Sequence, residues 1–481
     1  MLSVNRFHMD PTTGGFSRLT NRRVKAIPSK KSTGDDAPKI QLESTSVEEL
    51  AKKFTAFQLA VAHDENGKRT KQHSIEGLAY ATLQPPVKEQ VSRDDALLKN
   101  LVQSLKDAAP KSPATYGALS VLVNLTRYQP KLTEEEEKMS QLKAYANAAG
   151  KEALQRDPLN DDEHVAARCS RVFDAGVTPV LVTHSKNGST ASLSLIVSII
   201  YSLSVTTTLR GRLAQQGAVT LLINAWALLP DTETEPRGMA AQALARILIS
   251  IDPSLVFGGN RSVPVTSAIR PLLSILTPDQ STETRNLLPS FESLMALTNL
   301  ASLQDSEIQS IIIRSAWPKV EDLLLSSNPH VGKAAVELVC NLVPYPEGMA
   351  LYADGSPQAK QRLHILVALA DSDNAGTRSA AGGALAGLTA HENVVKALLQ
   401  RERGVKIMLD MCADDSEDLR HRAAVVLLNV VTAEEPVGKQ GREKVKKEGG
   451  IEVLTACAKK SRRPEVLEVV LQVLKVLVDG P

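Results

Sequence analysis

Nine histidines and four cysteines are the side chains from which a metal or nucleophilic site would be built, and their spacing builds neither. Cys169, Cys340, Cys412 and Cys457 lie tens of residues apart, with no CxxC pair and no zinc spacing. His391-Glu392 lacks the second histidine four residues on that a zinc-protease helix requires. No phosphate-binding glycine loop, dinucleotide fingerprint or nucleophile elbow occurs. The residues therefore predict no enzyme, no cofactor and no metal site. The cysteines are expected to be buried free thiols in a reducing compartment, where unpaired Cys packs as a small hydrophobe.

The chemistry that does recur is amide chemistry. MALTNL, ELVCNLV and VLLNVV are similar apolar segments that carry Asn299, Asn341 and Asn429 near their ends. A carboxamide both donates and accepts, so a row of Asn on one surface can grip an extended backbone whatever its side chains are. The same amides can instead bond neighbouring backbone inside the fold, and the sequence leaves both uses open. A fourth segment, GALAGL, has Gly387 where the row would have Asn. Arg378, Arg420, His421 and Arg422 stand near the starts of such segments, either as groove cations or as solvated charge.

The elements that position these residues repeat. From Asn299 through Asn341 and Gly387 to Asn429 the separations are 42, 46 and 42 residues, and a further 46 reaches Lys475. Weaker copies surround Asn124 and Arg246. Periods of roughly 40–47 residues belong to armadillo and HEAT solenoids. A second marker, a glycine followed by an apolar helix, occurs at Gly176, Gly217, Gly404 and Gly450, with steps of 41 and 46 in compatible phase. These glycines are expected to supply positive-φ turns between repeats. Hydrophobic residues make up 43% of the 481 and aromatics only 3%, so the core must come from Leu, Val, Ile and Ala, of which Leu and Ala favour helix most. The predicted fold is all-α, a right-handed superhelical solenoid of armadillo/HEAT-like repeats.

Three regions are expected: a disordered basic tail at 1–45, a central armadillo-repeat region at 46–265, and a C-terminal armadillo-repeat region at 266–481. Ordered structure should begin at Ser46, which with Glu49 makes a capping box, followed by Val47, Leu50, Phe54, Phe57 and Val61 at helical spacing. Loops are expected at 64–71, at 129–138 and 150–163 around a short helix at 139–149, and at 257–264 and 344–358. A net charge of +2 argues against a general nucleic-acid or membrane-surface binder. The apolar run 193–205 is too short to span a bilayer. The first 34 residues hold Asp10 as their one acid and several Arg and Lys, but Pro11, Gly14, Gly15 and Pro28 break the amphipathic helix a transit peptide needs. The expected location is the cytoplasm.

SIEGLAYATLQPPVKEQ from Ser74, SVLVNLTRY from Ser120, AAQALARILIS from Ala240, FESLMALTNLASL from Phe291, AAVELVCNLV from Ala334, TRSAAGGALAGLT from Thr377 and LRHRAAVVLLNVV from Leu419 occur in the order and spacing of the UCS family of myosin chaperones, which the chain resembles from about Ser74 onward. The resemblance implies central and UCS armadillo regions that bind a myosin motor domain, assist its folding, prevent its aggregation and cooperate with Hsp90. Residues 1–45 contain no helical repeat, so the chain resembles the fungal branch without the TPR module that docks Hsp90. Hsp90 stays open as a partner reached by another route, as does self-association; whether the tail marks a shortened chain stays open too. Carried over residue by residue, the client groove falls on Phe291, Glu292, Asn299, Asn341, Arg378, Arg422 and Asn429.

Two rival functions differ by their residues. A nuclear-transport adaptor would pair Trp with Asn in the groove, whereas Trp226 and Trp317 occupy different repeat positions. A cytoskeletal scaffold would bind without affecting myosin folding.

Overall fold

The computed structural model describes residues 46–60, 65–130, 138, 157–258, 263–277, 286–303 and 305–480. The basic tail, the Glu134 to Glu137 run and the expected 139–149 helix lie outside the described residues. Every regular element among the described residues is helical, and no strand occurs there.

The repeat unit is three helices, two on the outside and one inside. The last two units show it well: Glu392–Leu399 and Gly404–Cys412 lead into Glu417–Val431, and Val437–Lys447 and Gly450–Lys460 lead into Pro464–Asp479. Among the described residues nine inner helices stack in sequence, each packing on the next: Glu65–Ala81, Pro113–Thr126, Thr190–Val205, Thr234–Ile249, Leu288–Ala301, Pro329–Leu342, Ala375–Leu388, Glu417–Val431 and Pro464–Asp479. The stack passes residue 265 without a break, because Thr234–Ile249 packs directly on Leu288–Ala301. Local signals start these helices. Side chains of Ser112, Ser189, Asn328, Asn374 and Ser416 accept from backbone N–H groups of the first turn, satisfying donors that have no intrahelical partner. The core is aliphatic, for example Leu294, Leu297, Val336, Leu385 and Leu427, all fully buried. Each such side chain contributes about 1.5–3 kcal/mol.

Ser46 caps the first helix as expected, accepting from Glu49 N–H at 3.2 Å. The 193–205 run lies in the inner helix Thr190–Val205, and no described helix is long and apolar enough to cross a membrane. The four thiols are free, three of them buried and Cys340 half-buried. Cys412 and Cys457 stand one repeat apart, and Cys457 Sγ lies 3.9 Å from Ser461 Oγ.

Several expectations fail for identifiable reasons. Residues 65–71 are not a loop but the first turns of Glu65–Ala81; this polar stretch is helical because it continues a helix whose later turns are anchored by Ile75 and Leu78. The 344–358 stretch is not a loop either, since Pro346–Ala353 is a helix. Pro346 and Pro357 sit in first turns, where a missing N–H costs nothing. The glycine marker also divides. Gly176 and Gly217 adopt φ of 85° and 90°, but they join the two outer helices within one repeat rather than separating repeats. At the last copy the positive φ belongs to Gly449, not Gly450. Gly404 and Gly450 serve close approach instead: a Cβ would lie 2.5 Å from Leu398 O and 2.4 Å from Val445 Cγ1 respectively.

Candidate binding groove

The Asn row sits at the C-terminal ends of inner helices, and its N–H groups are used inside the fold. Asn299 Nδ2 donates to Leu248 O at 3.0 Å and Ile249 O at 3.2 Å. Asn341 Nδ2 donates to Thr298 O at 3.1 Å. Asn429 Nδ2 donates to Ala386 O at 3.1 Å and Thr389 Oγ1 at 3.0 Å. Asn124, in the weaker early copy, does the same to Ala79 O at 2.8 Å. Every carbonyl acceptor lies in the last four residues of the preceding inner helix, where carbonyls run short of intrahelical partners; Thr298 O also accepts the Ser302 N–H at 3.1 Å. Each Asn therefore caps the helix of the repeat before it. The Oδ1 atoms of Asn299, Asn341 and Asn429 accept no bond among the described residues, and all three side chains are half-buried. What the row offers an incoming chain is a line of acceptors.

This arrangement predicts the outcome of Asn429→Ala. Two hydrogen bonds at about 1 kcal/mol each, less a few tenths regained from helix propensity, give a net loss of about 1–1.5 kcal/mol. Hydrogen exchange should rise at the end of Ala375–Leu388, and an unchanged exchange pattern there would contradict the capping role.

The remaining candidates divide by burial. Glu292 is buried, accepting from Gln242 Nε2 at 2.7 Å and Arg246 Nε at 2.9 Å. The Arg246 guanidinium in turn lies 4.7 Å from the Tyr201 ring centroid. Phe291 is half-buried and meets His330 edge-on, with centroids 6.3 Å apart. Arg378 hooks its own helix start, donating to Ser372 O at 3.0 Å and Asp373 O at 3.1 Å, and reaches the next repeat through Asp414 Oδ2 at 2.8 Å. Arg420 makes the same hook one repeat later, to Asp414 O and Asp415 O, and is fully buried. Arg422 crosses to the preceding inner helix, where Nη1 bonds Ser379 O and lies against Gly383. Burial pushes the Cys340 thiol above its usual range, although the nearby Arg422 charge works against this. Glu292, Arg378 and Arg420 are thus engaged within the fold, while Phe291, Asn299, Asn341, Arg422 and Asn429 are half-buried and keep part of their surface exposed. Gln242 and Tyr201 escaped the sequence reading because they join this network only across a repeat interface.

No family model matches the chain. Protein unc-45 homolog B of Danio rerio is 27% identical over 438 residues, covering 90% of this chain and 44% of that protein. Ring assembly protein 3 of Schizosaccharomyces pombe is 28% identical over 360 residues, covering 74% and 47%. The solved structure of the myosin chaperone UNC-45 from C. elegans with an Hsp90 peptide superposes with a TM-score of 0.73 at 22% identity, over 90% of this chain and 45% of that one. The chain spans less than half the length of each of these relatives. Sequence order, inner-helix stack and comparisons agree: the chain is homologous to UNC-45 and to the fungal UCS proteins over most of its length.

Proposed function

We propose that this chain is a myosin-directed chaperone that holds a partly folded motor domain in its inner groove, acting in the cytoplasm without catalysing a reaction. The observation that carries this is the continuous relation to UNC-45 across 90% of the chain, together with the groove geometry. The inner helices supply what a holdase needs. The Asn oxygens are free to accept from a client's backbone N–H groups, and Tyr80, Tyr116, Leu471 and Val478 are exposed apolar side chains on inner helices. Covering exposed apolar surface on a client lowers the population that aggregates. In this reading 46–265 is the central region and 266–481 the UCS region that carries the groove. Hsp90 is a second proposed partner, since the nematode UNC-45 was solved with an Hsp90 peptide.

The test is heat-induced light scattering of a purified myosin motor domain. Equimolar chain is expected to suppress most of the scattering and to co-elute with the motor. Binding without suppression would replace this reading by a scaffold, and no binding would end both.

A further inference from the structure

The gap in the Asn row is a built feature. At the two flanking rungs an Asn donates to a carbonyl near the end of the preceding inner helix: Asn341 to Thr298 O and Asn429 to Ala386 O. In that register the rung at Gly387 should serve Cys340 O, since Cys340 stands one residue before Asn341 as Thr298 stands before Asn299. Glycine has no side chain to donate. A backbone donor is missing as well, because the residue four positions after Cys340 is Pro344, which has no N–H. The neighbouring donors are committed elsewhere, Val343 N–H to Val339 O and Tyr345 N–H to Leu342 O. Cys340 O therefore accepts no hydrogen bond among the described residues, although the equivalent carbonyls at the flanking rungs do.

The space beside this carbonyl is open. A Cβ placed on Gly387 meets nothing within 4 Å. One turn earlier, the Cβ position of Gly383 is only 3.0 Å from Cys340 Sγ and 2.8 Å from Arg422 Nη1, so the Arg422 guanidinium borders the same notch. Its Nη1 is engaged with Ser379 O, while Nε and Nη2 carry no bond among the described residues. The notch thus presents one acceptor, Cys340 O, and one cationic donor, Arg422.

We propose that this notch receives an Asn or Gln side chain from an extended client segment, which supplies the missing rung from outside. A carboxamide can donate to Cys340 O through its NH2 group while accepting from Arg422 through its oxygen, using two separate atoms where a hydroxyl would have to do both from one. A Lys or Arg would face the Arg422 charge, a carboxylate could not donate to the carbonyl, and an aliphatic group would leave both polar partners unmet. The flanking Asn341 and Asn429 oxygens accept backbone N–H groups on either side. Stacked helices lie 8–10 Å apart, about three residues of extended chain, so the carboxamide fixes the register of the segment. This deepens the client-groove reading and rests on it for the identity of the client, though not for the chemistry of the notch.

The test is selection of a phage-displayed library of random dodecapeptides on the wild-type protein, with counter-selection on Gly387→Asn. The substitution fills the rung in cis: it should raise the unfolding midpoint, since Asn is a better helix residue than Gly and gains a bond, and it should abolish the retained peptides. Enrichment of Asn or Gln at one fixed position, lost on Gly387→Asn, is the expected result. Enrichment of Lys, Glu or Leu at that position, or no enrichment at all, overturns the proposal. Gly387→Ala controls for the backbone, since it stiffens the helix without donating and should keep the selected preference. Because the library contains no myosin, a motor domain that fails to bind would defeat the chaperone reading alone. A Gly387→Asn protein that binds the motor domain as tightly as wild type would defeat the notch alone.

Discussion

Replacing Glu292 by Ala is expected to cost about 3–5 kcal/mol of stability, because it leaves a buried guanidinium without its counter-ion. Arg246 and Glu292 side chains are 7% and 11% exposed and meet at 2.9 Å. They belong to adjacent inner helices, Thr234–Ile249 and Leu288–Ala301, and Gln242 adds a second bond to the same carboxylate. The pair lies where the chain passes from 46–265 to 266–481, so its loss should separate the stack at that point. Thermal unfolding should broaden, with hydrogen exchange rising first in these two helices, because repeat arrays need not unfold as one unit. Glu292→Gln keeps the volume and an acceptor, and should lose much less. The two variants separate the roles open to Glu292. If Glu292→Ala retains wild-type stability yet loses motor-domain binding, Glu292 touches the client directly and the wall role is wrong.

Glu89→Ala is expected to have an effect of similar size, about 3–5 kcal/mol, for the same physical reason at the other end of the chain. Glu89 accepts from Arg93 Nε at 2.8 Å, Arg168 Nη1 at 3.2 Å and Arg171 Nη1 at 3.3 Å. Arg93 and Arg171 reach solvent and lose little when the carboxylate goes. Arg168 has no exposed side-chain area and is pinned by Leu125 O at 3.0 Å and Leu159 O at 2.7 Å, so it cannot leave. Burial by itself would raise the Glu89 pKa; the three arginine hydrogen bonds outweigh it and hold the carboxyl below its ordinary 4.5. A carboxylate with a lowered folded pKa stabilises fully above the unfolded value, and that stability is lost as pH falls through the folded value. Wild type should therefore lose this contribution only below about pH 4.5, while Glu89→Ala lacks it throughout. Urea midpoints from pH 7 to pH 3 should converge at the acid end, and a constant gap between the two proteins would show that the carboxylate charge is not the cause.

The Asn row was legible as a row but not in its use. Asn299, Asn341 and Asn429 share a phase that any reader of the sequence can count. Whether their amides face a ligand or the preceding helix depends on which carbonyls end that helix, and those are 43 residues away for Asn341 and Asn429. Arg378 and Arg420 show the same limit. As charged residues at helix starts they read as groove cations or as solvated surface; each turns back to cap loop carbonyls five and six residues earlier.

By itself the sequence determined the all-helical repeat architecture, because period, helix propensity and cap residues are local and each unit packs only on its neighbours. The order of motifs along those repeats also carried the resemblance to the UCS proteins, with which the homologues agree. Only the tertiary structure decided which polar residues are engaged within the fold and which keep polar atoms unbonded among the described residues. That choice is made at repeat interfaces, where Glu292 meets Arg246 and Asn429 meets Ala386, and where the pairing of Gly387 with Pro344 leaves the Cys340 carbonyl without a donor.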